Sequence, residues 1–294
     1  MNFAIVGLGF ISERHIKAIK NIGGRLSCVC DIDKSKIDII PFCYDVKNIY
    51  GFVFIPTFFQ DWKEMMRSRV FKKVDYVVIL TPNHLHFEMI KEARKRGKKV
   101  ICEKPLVTSM DELAVLIEDK EIYTTLQLRY GYPIMKKKRS PSFNEIYMNI
   151  EVHRGDWYYK SWKVDKELSG GLLFNIGIHY FDLLLSEFPD LKVTEVSEYD
   201  DRRMEGKLEC TEARIKWRLR IDASIDKQKR ELVFRGKEPI DLTHFSYGLA
   251  KTKVDFENLH VKVYEDIMKG KGIRSKDLIK VTKLVAEMTE ESRR

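Results

Sequence analysis

The chain has 294 residues, five cysteines and a formal charge of +9 from 53 basic and 44 acidic side chains. A chain of this length favours two domains and buries roughly three-quarters of its unfolded surface, so neither disulfides nor a structural metal is needed to hold a core. The cysteines form no pair of CxxC motifs, no apolar run nears the ~18 residues of a membrane span, and the first apolar residues read as a strand rather than a leader. The expectation is a reduced, cytoplasmic protein with no membrane or nucleic-acid partner, whose positive charge suits an anionic small molecule.

Phe3 to Val6 is a short apolar run fit for a buried parallel strand, and Gly7 and Gly9 follow at once. Ile11, Ile16, Ile19 and Ile22 then recur at helical spacing, and a second strand, Leu26 to Cys30, ends at Asp31. Strand, glycine turn, helix, strand and acid make up the dinucleotide-binding unit. Gly7 permits the tight turn and Gly9 lets the backbone approach a pyrophosphate. The helix start around Phe10 and Ile11 offers free N–H groups to the phosphates. Ser12 stands at the third glycine position and is small enough to keep helix and strand close. Asp31 is placed to accept hydrogen bonds from the adenosine ribose and to repel a 2′-phosphate, so NAD is expected over NADP.

Helical pieces at Lys34 to Ile40 and Trp62 to Arg69 flank an aromatic stretch, Tyr50 to Phe59. Val74 to Leu80 predicts a buried strand, after which Thr81-Pro82-Asn83 leads into a helix from His84 to Arg96 with Asn83 as its N-cap. Lys99 to Cys102 is the next strand and ends in Glu103-Lys104-Pro105. Ser109 and Glu112 have capping-box spacing for a helix to about Glu118, and Ile122 to Gln127 is one more strand. Alternation of this kind predicts a doubly wound parallel sheet over residues 1–123, with ligands beyond the carboxyl ends of its strands. Asp31, Thr81, Lys104 and Gln127 fall at those ends.

Residues 124–294 read as a second, α+β domain with a large, mostly antiparallel open sheet. Ile146, Met148, Ile150 and Val152 alternate with polar or amphipathic residues, and the apolar positions from Ala213 to Ile225 alternate strictly with Arg214, Lys216, Arg218, Arg220, Asp222, Ser224 and Asp226. The charged face is either solvated or covered by another subunit. Lys136 to Arg139 reads as a solvated loop, and helices at Phe256 to Lys269 and Ser275 to about Glu291 close the chain.

Two constellations carry chemistry. The helix after Gly170-Gly171 is apolar nearly all round, yet Asn175, His179 and Asp182 share one face of it. Buried polar groups need partners. A structural network, a metal site and a cleft-facing catalytic histidine all remain open, the metal reading lacking a second His or Cys at ligand spacing. Lys104 sits where a nicotinamide would lie and can stabilise a developing alkoxide, while a surface salt bridge is its plainer reading. Between the halves, Arg154 to Asp165 interleaves Trp157, Tyr158, Tyr159 and Trp162 with Lys160 and Lys163, which suits a sugar or nucleotide or plain aromatic packing.

The glycine fingerprint, Thr81-Pro82-Asn83 with His86, Glu103-Lys104-Pro105, and Gly170-Gly171 followed by Asn175, His179 and Asp182 closely resemble the glucose–fructose oxidoreductase / inositol dehydrogenase / MocA family over nearly the whole chain. The resemblance implies a Rossmann domain followed by an α/β domain, and NAD-dependent oxidation or reduction of a sugar or polyol hydroxyl. It implies cofactor contacts from Gly7, Gly9, Phe10, Ile11, Asp31, Thr81, Pro82, Asn83, His86, Glu103, Lys104 and Gln127, with no metal. Lys104 and His179 would be the catalytic pair with Asn175, which stands where many members have Asp. Ser161-Trp162-Lys163, Asp165 and Asn175 resemble the branch of 3-dehydrogenases that act on UDP-N-acetylglucosaminuronic acid. That branch implies a UDP-sugar substrate held by Arg129, Arg154, Trp162, Lys163, Asp165, Asn175 and His179, in a homodimer or homotetramer. A dehydrogenase of a free sugar or polyol and a non-catalytic dinucleotide-binding regulator are the alternatives.

Overall fold

A computed structural model describes residues 1–38, 55–131, 138–222, 224, 228–247, 252–255 and 259–293. Six parallel strands form the first sheet: β1 (Asn2–Val6), β2 (Arg25–Cys30), β3 (Thr57–Phe59), β4 (Tyr76–Ile79), β5 (Lys99–Cys102) and β6 (Ile122–Thr124), in the order β3-β2-β1-β4-β5-β6. The chain starts in the centre at β1 and builds outward both ways, which opens a crevice at the carboxyl ends of β1 and β4. Helices α1 (Ser12–Asn21), α2 (Trp62–Arg67), α3 (His86–Lys95) and α4 (Met110–Leu116) run between the strands. The strands are buried on both faces because their side chains are apolar in unbroken runs. Cys28 and Cys30 share one face of β2 as expected, and burial pushes both thiols up to about 12.

Several local expectations change. Asn83 does not cap a helix: Asn83–Leu85 forms a 3-10 turn and α3 begins at His86 without a side-chain cap. The Asn83 amide is drawn away, donating to the Ser169 carbonyl at 2.7 Å. Ser109 does cap α4, accepting from Glu112 N–H at 3.2 Å, but Glu112 returns its carboxylate to Thr108 N–H rather than to Ser109. Ile122 to Gln127 is strand only to Thr124, and Gln127–Gly131 is a 3-10 turn. The helical piece at Lys34 is a 3-10 turn, Lys34–Asp38. Ile39 and Ile40, the first half of the Tyr50 to Phe59 stretch, Lys136, Lys137, Ala223, Ile225 and Phe256 lie outside the described residues.

The second sheet joins β7 (Asn144–His153), β8 (Lys192–Asp200), β9 (Arg203–Cys210), β10 (Ala213–Asp222), β11 (Lys229–Phe234) and β12 (Ile240–Asp241) in the order β12-β11-β7-β10-β9-β8. Every pairing is antiparallel except β10 with β7. The alternation of β10 holds: Ala213, Ile215, Trp217, Leu219 and Ile221 are buried, and Arg214 and Lys216 are exposed. The outer face is not a bare cationic stripe, because β9 supplies Glu209 to Arg214 and Glu205 to Arg218. Inside, Trp217 meets Phe181 edge-on at 5.3 Å. Phe181 belongs to α5 (Ile178–Glu187), which covers the inner face with α7 (Ile279–Glu291).

Helix α6 (Leu259–Met268) packs on α1, and Val263, Tyr264 and Ile267 share an apolar cluster with Phe3, Ile5 and Ile19 of the first sheet layer. The helical run Lys166–Glu187 has the length and apolarity of a membrane span, but 78% of its most apolar window is buried inside the fold, where it builds the core.

Candidate active site

The glycine turn explains its own sequence. Gly7 has φ +94, and a Cβ there would lie 2.8 Å from the Leu80 carbonyl oxygen, so β4 and the turn approach only with glycine between them. A Cβ on Gly9 would meet nothing within 4 Å, which leaves its outer side open to a ligand. Asp31 is fixed at the turn: its carboxylate accepts from Leu8 N–H at 2.7 Å and from Asp33 N–H at 2.9 Å. Phe10 is exposed beside the turn, with the Arg14 guanidinium 5.6 Å from its ring centroid. Ile11 is half-buried ahead of α1.

At the end of β5 the Lys104–Pro105 bond is cis. Lys104 Nζ donates to the Asn175 carbonyl at 2.5 Å, across 71 residues of sequence. Asn175 lies in a π-helical turn, Leu173–Gly177, that leads into α5. Such turns insert an extra residue and loosen the i→i+4 ladder, which turns backbone groups toward other partners. Asn175 Nδ2 donates to the Tyr158 hydroxyl at 3.1 Å, and burial pushes that phenol up to about 12. His179, one turn on, is 7% exposed. Burial, then the charge of Lys104, hold its imidazole neutral, well below the ordinary value. Burial also brings the Lys104 ammonium down to about 8. Glu103 opposes that shift, while the charges of Lys163 and Arg154 add to it.

Those last two residues form the outer part of the cluster. Lys163 Nζ lies 4.1 Å from the Trp162 ring centroid, and Arg154 donates to its neighbour's carbonyl, His153 O, at 3.0 Å. Arg230 on β11 adds its field to Arg154 and to His179. Among the described residues, none of Lys104, Arg154 and Lys163 forms an ion pair with a carboxylate. Like charges gathered without an ion-paired carboxylate favour an anionic ligand.

Other sequence-named residues are placed differently. Arg129 is committed elsewhere: its Nε and Nη2 meet the two oxygens of Asp182 at 2.7 Å each, and Nη2 also donates to Asp277 O at 3.0 Å. This bidentate pair ties Arg129 to Asp182 within the fold, a geometry that satisfies the guanidinium fork against a buried carboxylate. The expected stripe is therefore split, Asn175 serving Tyr158 and Lys104 while Asp182 serves Arg129. His86 is fully buried, its ring nitrogens 2.8 Å from Pro105 O and 2.9 Å from Thr81 O. It braces the Thr81-Pro82-Asn83 turn against the cis-proline turn. Asn83 ties that same turn to Ser169. Asp165 caps the Lys166–Ser169 turn, accepting from Glu167 N–H at 2.9 Å and Leu168 N–H at 3.3 Å. Thr81 Oγ1 donates to Met89 Sδ at 3.4 Å, and Pro82 is half-buried next to it. Gln127 is 3% exposed, and its Oε1 has no hydrogen-bond partner among the described residues.

Residues 1–122 match an oxidoreductase family with an NAD-binding Rossmann fold, and residues 143–263 match that family's C-terminal alpha/beta domain. The chain belongs to this family. The WlbA (WbpB) dehydrogenase of Thermus thermophilus, solved in complex with NAD and UDP-GlcNAcA, is similar at 32% identity and a TM-score of 0.81, covering 97% of this chain and 94% of that one. The same dehydrogenase in complex with NAD and alpha-ketoglutarate superposes with a TM-score of 0.82 at 30% identity, covering 98% and 94%. A scyllo-inositol 2-dehydrogenase (NAD(+)) of Bacillus subtilis is 28% identical over 61% of this chain and 52% of its own length. The chain spans about half the length of such curated relatives. The family's cofactor, NAD, fits the residues present: the positive-φ glycine, the open side of Gly9 and the anchored Asp31 form one cradle, with the unpartnered Gln127 oxygen at the end of β6.

The sequence did not point to Tyr158 as the partner of Asn175, nor to His15, Thr125, His260 and Tyr264, which gather around Glu103. Their separations, up to 249 residues for His15 and Tyr264, leave no local signal.

Proposed function

We propose that this chain is an NAD-dependent sugar dehydrogenase in which residues 1–123 hold NAD and residues 124–294 present the sugar, oxidised at C3 of a UDP-linked N-acetylhexosamine uronate. One observation carries the reading: the 2.5 Å contact from Lys104 to the Asn175 carbonyl joins the carboxyl end of β5 to the turn that aims His179. Gly7, Gly9, Asp31 and Gln127 would hold NAD. Its chemistry when bound is acceptance of a hydride from the sugar carbon.

The chain's own residues supply the rest. His179, kept neutral by burial, takes the hydroxyl proton as general base. Lys104 directs its ammonium at the hydroxyl oxygen and offsets the negative charge that develops as the proton leaves. Asn175, locked by Tyr158, fixes where both groups point. Arg154 and Lys163 favour the uronate and diphosphate charges, and Trp162 and the exposed Trp157 offer flat faces to a sugar or base. The same cations suit a 2-oxodicarboxylate such as the alpha-ketoglutarate found in the Thermus protein, which here would reoxidise the reduced cofactor.

The test is a panel with NAD comprising UDP-N-acetylglucosaminuronate, its neutral UDP-sugar parent, free glucose and myo-inositol, with and without alpha-ketoglutarate. UDP-N-acetylglucosaminuronate is expected to turn over best. Lys104→Ala and His179→Ala are each expected to lower kcat by about 100-fold or more while NAD affinity changes far less. Good turnover of free polyols with no binding of UDP compounds refutes the substrate. Near-normal turnover by His179→Ala refutes the mechanism.

A further inference from the structure

Glu103 precedes Lys104 and is the hub of a buried network. Its Oε1 accepts from Thr125 Oγ1 at 2.7 Å and faces His15 Nε2 at 3.0 Å and His260 Nε2 at 3.5 Å. Its Oε2 accepts from the Lys104 backbone N–H at 3.2 Å. The second nitrogen of His15, Nδ1, lies 2.8 Å from the Tyr264 hydroxyl. His15 and Tyr264 are fully buried and His260 is 1% exposed. The histidine rings meet edge-on at 4.9 Å.

The proton positions follow from the donor inventory. Tyr264 has one O–H and a carboxylate can only accept. With His15 neutral, the chain closes in one direction: Tyr264 O–H donates to His15 Nδ1, and His15 Nε2–H donates to Glu103. Burial alone would push the Glu103 carboxyl up, but the hydrogen bond from His15 and the nearby His260 ring hold it well below the usual carboxylate range. Burial lowers His15 despite its bond to Glu103, which keeps the ring neutral and this donor order intact.

We propose that His15, His260 and Tyr264 are positioning residues that hold Glu103 as a fixed anion behind Lys104, so that the lysine keeps its proton within a cluster of cations. The proposal deepens the dehydrogenase reading, resting on Lys104 as the charged partner of the substrate hydroxyl. Glu103 is the one counter-charge among the groups that act on Lys104, since Lys163 and Arg154 both oppose its charge. Arg14 on α1 faces His15, and His86 and His179 both feel Glu103. Two of the three positioning residues lie on α6, so that helix sets the state of a lysine just past the end of β5 without touching it.

The test reads Lys104 directly. Protein carrying [13Cε]lysine is titrated by NMR, with Lys104 assigned from the Lys104→Arg spectrum. In the unaltered protein Lys104 is expected to titrate near pH 8. Glu103→Gln should lower its midpoint by about one pH unit or more, a tenfold change in its protonation equilibrium. His15→Phe and His260→Phe should lower it too, and His15→Gln, which restores an N–H donor, should recover part of the shift. Tyr264→Phe removes only a hydroxyl, and a smaller shift in the same direction is expected from it. An unmoved Lys104 midpoint in Glu103→Gln or Tyr264→Phe overturns the proposal. So does a stoichiometric metal ion in the purified protein bound at His15, Glu103 and His260, whose ligand atoms all lie within 4.8 Å of one another. Because the readout needs no turnover, an inactive substrate panel would refute the dehydrogenase reading and leave this result standing.

Discussion

Asp182→Asn separates a structural ion pair from a substrate contact. Asp182 is 3% exposed and Arg129 is 29% exposed, joined by two charge-assisted bonds of 2.7 Å. Breaking a buried pair by removing one partner costs about 3–5 kcal/mol, because the surviving charge is left uncompensated. Here water reaches part of the guanidinium, and the Asp277 carbonyl still accepts from it at 3.0 Å, so the loss is discounted to about 2–3 kcal/mol. For a chain of this size that is on the order of 5–10 °C in Tm. Thermal melts followed by circular dichroism give the shift, and steady-state kinetics give KM for the sugar nucleotide. The expected result is a lower Tm with KM changed less than about threefold, as for a group outside the ligand set. The double variant Arg129→Met/Asp182→Leu should regain part of the loss, since an apolar pair leaves no buried charge. An unchanged Tm with a KM raised tenfold would return Arg129 to the substrate site and refute the reasoning.

Asp31→Ala should weaken NAD and bring NADP binding up toward it, read by fluorescence titration, and NADP binding as tightly as NAD in the unaltered protein would refute the role of Asp31. His15, His86 and His179 all have their pKa lowered by burial, so below about pH 6.5 the unfolded chain binds protons that the native state does not. Stability is therefore present above that pH and lost as pH falls, by at most about 4 kcal/mol per unit for three such groups. A urea midpoint that stays flat from pH 7.5 to 5.5 would count against neutral burial. The outer face of the second sheet, with Tyr147 and Tyr199 exposed among its ion pairs, is expected to pair two copies. Light scattering at micromolar concentration should then report a dimer or tetramer, and a monomer would refute that.

The local pattern of the chain determined most of the first sheet. Apolar runs of strand length, glycines directly after β1 and an acid after β2 are signals contained within a few residues, and backbone sterics leave them one reading. The alternation of β10 is equally local, because one face is buried and the strand period is two. What failed in the sequence reading failed where a distant group outbid a near one. Asn83 had the chemistry of an N-cap but found the Ser169 carbonyl, and Glu112 reached Thr108 instead of its expected partner. Asn175, His179 and Asp182 have the spacing of one helical face, and no spacing could announce that a π turn would part them or that Arg129 would claim Asp182. The network around Glu103 exists only because α6 returns to pack on α1. A polar group's partner is fixed by which buried donor or acceptor lies nearest in space, and that distance is set by packing of the whole chain rather than by any stretch of it.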